Sequence, residues 1–167
     1  MDPFARLGVE PKFSVDLGEL ERVHLELSRA LHPDRHAQGL PAERRRVLDE
    51  AVAVNEAWRI VRDPVRRAEA LLALRGAALE GPEAKPPPAF LMAMMNRREE
   101  LETAKAGGPS ALERLAASVQ GEFERTRERL GAALDRGDAS FGPATRLLAE
   151  LRFHRRLLEE ISSLEDD

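Results

Sequence analysis

His32, Asp34 and His36 fall within five residues of one another, and His24 lies eight residues upstream of His32. Imidazoles and carboxylates hold divalent metals and move protons, so the first chemistry to weigh is a small metal-dependent hydrolase using His32 and Asp34. The spacing argues against it. Pro33 locks its own φ and pushes His32 toward extended backbone, which restricts how the ligands converge. The chain has no H-E-x-x-H, no helical H-x-x-E and no Cys. Taken alone, His32-Pro33-Asp34 is a helix stop followed by an Asx-type turn, a rigid polar tripeptide. His154 reads as a face residue of its helix. No catalytic residue, metal ligand or cofactor is expected.

The lack of Cys also excludes a disulfide framework, a zinc finger, a thiol nucleophile and a cysteine-held iron–sulfur cluster. Twenty-six basic and 30 acidic residues give a net charge of −4 over 167 residues, with no basic stripe of the kind that binds nucleic acid. No apolar run approaches the roughly 18 residues of a membrane helix. Met1-Asp2-Pro3-Phe4 is not the start of a signal peptide. The expectation is a soluble, cytoplasmic protein that uses neither nucleic acid nor membrane. Ala, Leu, Arg and Glu make up more than half of the chain, and β-branched residues are scarce. Such a composition builds helices, and an all-α fold is expected.

The elements that must position the tripeptide follow from caps and apolar periods. The Gly- and Pro-containing segment Gly76 to Pro88 divides the chain into residues 1–75 and 89–167, and its Pro86-Pro87-Pro88 run suggests a short, semi-rigid joint. The acidic excess lies wholly after residue 75. Before the joint, Asp2 caps a short helix that ends at Gly8. Asp16 with Glu19 opens a helix to about Leu31, with Leu20, Val23, Leu27 and Ala30/Leu31 on one face. A third helix spans about 42–61, with Leu48, Ala51, Val54/Asn55 and Trp58 as its stripe. Asp63-Pro64 starts a fourth, ending at Arg75-Gly76. The two long helices form an antiparallel hairpin that displays residues 32–41.

After the joint, three longer helices over about 88–106, 111–136 and 143–164 make an antiparallel bundle. Ser110 with Glu113 is a second capping-box pattern. Along the first of these helices, Phe90, Met94, Leu101 and Ala104 form a core stripe interrupted by Arg97. Leu91, Met92 and Met95 form a second apolar patch beside Arg98, Glu99 and Glu102. That patch either covers a neighbouring part of the chain or receives a partner, and flexible Met side chains suit the latter. The last helix has Leu147, Leu151, Leu158 and Ile161 as its stripe. Phe153 points elsewhere, with Leu157 and Leu164. An aromatic so placed either packs on a neighbouring helix or awaits a partner. Trp58 and Phe123 are expected in the core.

Residues 1–75 resemble the J-domain of DnaJ-type co-chaperones. Phe4 to Val9, Leu31-His32-Pro33-Asp34-Arg35, Asn55-Glu56-Ala57-Trp58, Asp63-Pro64 and Arg66-Arg67-Ala68 carry the resemblance. It implies that His32, Pro33 and Asp34, with Arg22 and Arg29 on the adjoining helix face and Arg35 in the loop, bind an ATPase chaperone of the HscA/DnaK type and stimulate its ATP hydrolysis. Ala89-Phe90-Leu91-Met92, Arg98 to Glu102 and Leu151-Arg152-Phe153 look like the C-terminal domain of the HscB family, the J-proteins of bacterial iron–sulfur cluster assembly. That implies a site for the cluster scaffold IscU at Leu91, Met92, Met95, Arg98, Glu99 and Phe153.

The resulting expectation is a co-chaperone adaptor, not an enzyme, which delivers IscU to its chaperone for cluster transfer and protein maturation. The alternatives are a general J-protein serving DnaK, with another client on the bundle, and the metal-dependent hydrolase considered first.

Overall fold

The computed structural model describes residues 2–79, 86–136 and 141–165. Residues 80–85 of the expected joint lie outside them. All described regular elements are helical, and the chain divides into two compact units, Met1–Arg75 and Gly76–Asp167.

In the first unit, proline and aspartate set the helix starts. Asp2 accepts hydrogen bonds from the Phe4 and Ala5 amides at 2.9 and 3.2 Å, opening α1 (Pro3–Leu7). Gly8, at φ 66°, closes it in the left-handed conformation that Gly adopts without strain. Asp16 caps α2 (Leu17–Ala30) through the Gly18 and Glu19 amides. A one-turn 3-10 helix (Pro33–His36) follows, and then α3 (Pro41–Arg62). Asp63 accepts from the Arg66 amide at 2.8 Å and opens α4 (Pro64–Leu74). Phe4, Leu20, Val54, Val61, Leu71 and Leu72 are buried in the core of this unit. Buried Arg67 ties α4 to α3. Its Nη1 donates to the Val61 carbonyl at 2.9 Å, and its guanidinium lies 4.7 Å from the Phe13 ring centroid.

The buried stripe of α3 is Val54, Ala57 and Val61, which keeps Val54 of the expected line but not Leu48, 54 % exposed. Apolar residues occur at 47 and 48, at 51 to 54 and at 57 and 58, so the period leaves the phase open by one position. Trp58 and Phe123, expected in the core, are half-buried.

In the second unit, α5 (Pro88–Gly107), α6 (Pro109–Asp135) and α7 (Gly142–Glu165) form a three-helix bundle in which each helix contacts both others. Gly108, at φ 80°, makes the α5–α6 turn, and Pro109 starts α6 two residues earlier than expected. Ser110 therefore lies inside α6, where its hydroxyl accepts from Arg114 Nη1 at 2.9 Å instead of capping with Glu113. Leu101, Val119, Leu151, Leu157 and Ile161 are fully buried. Leu157, expected off the core stripe, is core because α7 packs against two helices and buries a wide arc. No helix among the described residues is long and apolar enough to cross a membrane.

Candidate functional site

The His-Pro-Asp turn is built by the end of α2. The Leu31 amide bonds back to Leu27, and His32 leaves the helix at φ −65°, ψ 131°, the extended geometry that a following proline requires. The Asp34 amide donates to His32 Nδ1 at 3.3 Å, so the free imidazole carries its proton on Nε2. The Asp34 carboxylate lies 3.6 Å from the same nitrogen, and both side chains are exposed, at 58 % and 90 %. His36 closes the turn from below, with Nε2–H donating to the Ala30 carbonyl at 2.9 Å and so satisfying an orphan carbonyl of α2.

These bonds separate the imidazoles that a metal site needs. His36 is committed to Ala30. His24 stacks on Trp58, with centroids 4.8 Å apart, and pairs with Asn55 Oδ1 at 2.9 Å. Among the described residues no group of three His, Asp or Glu side chains is arranged to hold a metal ion. Of the expected basic residues, Arg22 is occupied by Glu26 at 2.7 Å and Glu19 at 3.7 Å. Arg29 and Arg35 are exposed and, among the described residues, have no carboxylate partner. The positive charge available near the tripeptide is theirs.

In the bundle, Leu91, Met92 and Met95 are 47 %, 67 % and 66 % exposed on the first turns of α5. Phe153 is buried instead, at 4 %, and meets Phe90 edge to face. It still belongs to the patch. Leu91, Met94, Met95 and Arg98 of α5 and Phe153 and Arg156 of α7 line a groove of about 470 Å³. Met92 lies outside this lining, on the exposed flank beside Met95. Arg98 pairs with Glu160 of α7 across the rim. Glu99 is exposed, and its carbonyl accepts from the Thr103 hydroxyl at 3.0 Å.

Sequence reasoning missed Met94 and Arg156. Met94, on the expected core stripe, packs against the core and also forms the groove wall; Arg156 stands one turn after Phe153, a spacing visible once Phe153 is placed. His154 was also misjudged. It is 5 % exposed, enclosed by Phe90, Phe153 and Glu122, because it lies on the wide arc that α7 buries.

A family model described as the HSCB C-terminal oligomerisation domain matches residues 86–162. The chain is 38 % identical over 168 residues to the co-chaperone protein HscB homolog of Ralstonia nicotianae, spanning 98 % of this chain and 96 % of that one. Chaperone HscB from Vibrio cholerae superposes with a TM-score of 0.84 at 29 % identity, over 99 % of this chain and 98 % of that one. The crystal structure of human co-chaperone protein HscB superposes with a TM-score of 0.86 at 25 % identity, over 98 % and 81 %. With a helix hairpin displaying His-Pro-Asp and a three-helix bundle behind it in sequence, the chain belongs to the HscB family of co-chaperones.

Proposed function

We propose that this co-chaperone stimulates ATP hydrolysis by an HscA/DnaK-type chaperone through His32, Pro33 and Asp34, with Arg29 and Arg35 steering the encounter. The scaffold IscU occupies the bundle at Leu91, Met92, Met95, Arg98, Glu99 and Phe153. The observation that carries the reading is the exposed Leu91, Met92 and Met95 beside a formed groove. Clustered exposed apolar side chains cost solvation unless a partner covers them, and unbranched Met adapts to the partner's shape. Exposed Arg29 and Arg35 suit a complementary acidic surface and accelerate association more than they tighten it. Covalent linkage of the two sites raises the effective concentration of the scaffold at the chaperone. With no Cys in the chain, the thiolates that hold the cluster come from the scaffold, and this protein acts on the carrier in the cytoplasm.

The test has two arms. The purified chain should raise steady-state ATP turnover by an HscA-type chaperone, and His32→Gln should abolish the gain; no stimulation of either HscA or DnaK would refute the role. Calorimetry with IscU should show binding that Met92→Ala/Met95→Ala weakens about tenfold or more. Stimulation of DnaK without IscU binding would favour a general J-protein with another client.

A further inference from the structure

A second cleft, of about 300 Å³, lies among α5, α6 and α7 and shares only Phe153 with the proposed scaffold contact. Its buried wall holds His154, 5 % exposed, whose Nδ1 has no hydrogen-bond partner. The nearest carboxylate oxygen, Glu122 Oε2, is 3.7 Å away, too far to bond. That carboxylate is already held by Arg97 through Nε at 3.2 Å and Nη2 at 2.7 Å. Arg129 lies 3.8 Å from Glu150. Among the described residues, Arg125 is the cation lining the cleft that has no partner. The remaining wall is buried Thr126 and an apolar part formed by Phe90, Ala93 and Phe153.

A buried ring nitrogen left unpaired is costly, and a bound group with the right polarity recovers that cost. Arg97 is held by both Glu122 and Glu100, and Arg129 faces Glu150, so Arg125 is the charge left over among them and the missing group is an anion. The volume stands at the lower limit of small-molecule pockets, too small for a nucleotide or a peptide segment. The apolar wall asks for a hydrocarbon stem. We propose that the cleft binds a small organic carboxylate with a short apolar stem. One carboxylate oxygen accepts from His154 Nδ1–H, Arg125 supplies the countercharge, and the stem lies on Phe90, Ala93 and Phe153.

The experiment is a titration of the full chain, labelled with ¹⁵N-histidine, at fixed pH and ionic strength. The His154 ring signal is assigned by its loss in His154→Gln. Sodium butyrate should move that signal saturably, with a midpoint of about millimolar for a ligand of this size. Arg125→Gln, a change at an exposed side chain, should raise the midpoint about tenfold, as expected for one lost charged hydrogen bond. Met92→Ala should leave it unchanged. A linear response, an unaltered midpoint in Arg125→Gln, or an equal response to n-butanol would overturn the proposal and leave a structural water between His154 and Glu122. Saturation by inorganic phosphate with none by butyrate would overturn it as well.

Discussion

The Phe90 and Phe153 rings meet edge to face, with centroids 5.7 Å apart and planes at 88°, and this contact joins the first turns of α5 to the middle of α7. Phe153 thus holds the bundle together and lines the groove at the same time. Phe153→Ala should cost the C-terminal unit about 3–5 kcal/mol, because it removes a buried aromatic and leaves a cavity. Met92→Ala should stay within about 0.5 kcal/mol of wild type, since Met92 is 67 % exposed. Urea denaturation followed through the bundle checks both. Equal midpoints for the two variants would contradict the packing. Loss of scaffold binding in Phe153→Ala is therefore not by itself evidence of a direct contact, and Met92→Ala/Met95→Ala is the better probe.

Local chemistry made most of the fold legible. The caps at Asp2, Asp16 and Asp63, each followed by a proline or an apolar period, place three helices within a residue or two. The exposed Leu91, Met92 and Met95 could be read from one helix, because one buried stripe suffices for a bundle member and these residues fall off it. What a single helix cannot show is how many neighbours it has. The contact of α7 with both α5 and α6 buries Leu157 and His154 along with Phe153, and no periodicity announces a second partner. The phase of the α3 stripe was hidden for a different reason: adjacent apolar residues at 47 and 48 and at 57 and 58 satisfy two registers equally. Met94 and Arg156 became groove residues only when the positions of α5 and α7 were known.

The bond from His36 Nε2 to the Ala30 carbonyl predicts a specific softening of the turn. His36→Ala frees one C-terminal carbonyl of α2 to water, so the global cost should be small, about 0.5 kcal/mol. The local effect should be larger. Amide hydrogen exchange over residues 32–37 should accelerate, while exchange in the core of α3 should not. His36→Gln, whose amide can donate to the same carbonyl, should recover part of the protection. Unchanged exchange in His36→Ala would show that Pro33 alone holds the turn.

Arg97 cross-links α5 to α6 through Glu122, and its Nη2 also donates to Ser118 Oγ at 3.0 Å. The side chain is only 18 % exposed, and the Glu122 hydrogen bond raises the Arg97 pKa against the opposing effect of burial. Its two-point geometry sets it apart from the exposed i,i+3 and i,i+4 pairs such as Arg22–Glu26. A double-mutant cycle with Arg97→Met and Glu122→Gln should give a coupling energy of about 1 kcal/mol. The same cycle on Arg22 and Glu26 should give about 0.3–0.5 kcal/mol, falling further in salt. Equal couplings would mean that burial adds nothing to the α5–α6 pair.

His154 gives the bundle a pH dependence whose direction follows from its surroundings. Burial lowers its pKa below the usual 6.5, against the raising influence of Glu122 of α6 and with the lowering influence of Arg97 of α5 and Arg125 of α6. Arg129 of α6 and Glu150 of α7 line the same cleft. The unfolded chain therefore binds more protons than the folded one just below pH 6.5, and the contribution of His154 to stability is lost as the pH falls through that window. Glu150 works the other way. Burial raises its pKa above 4.5, opposed by Arg129, so acidification relieves the penalty of a half-buried carboxylate. Between pH 7.5 and 5.5 the urea midpoint of the wild-type bundle should decrease, and His154→Gln should flatten that decrease. As the pH falls further toward 4.5, Glu150→Gln should steepen the loss by removing the compensating group. A decrease that survives unaltered in His154→Gln would place the titrating group elsewhere.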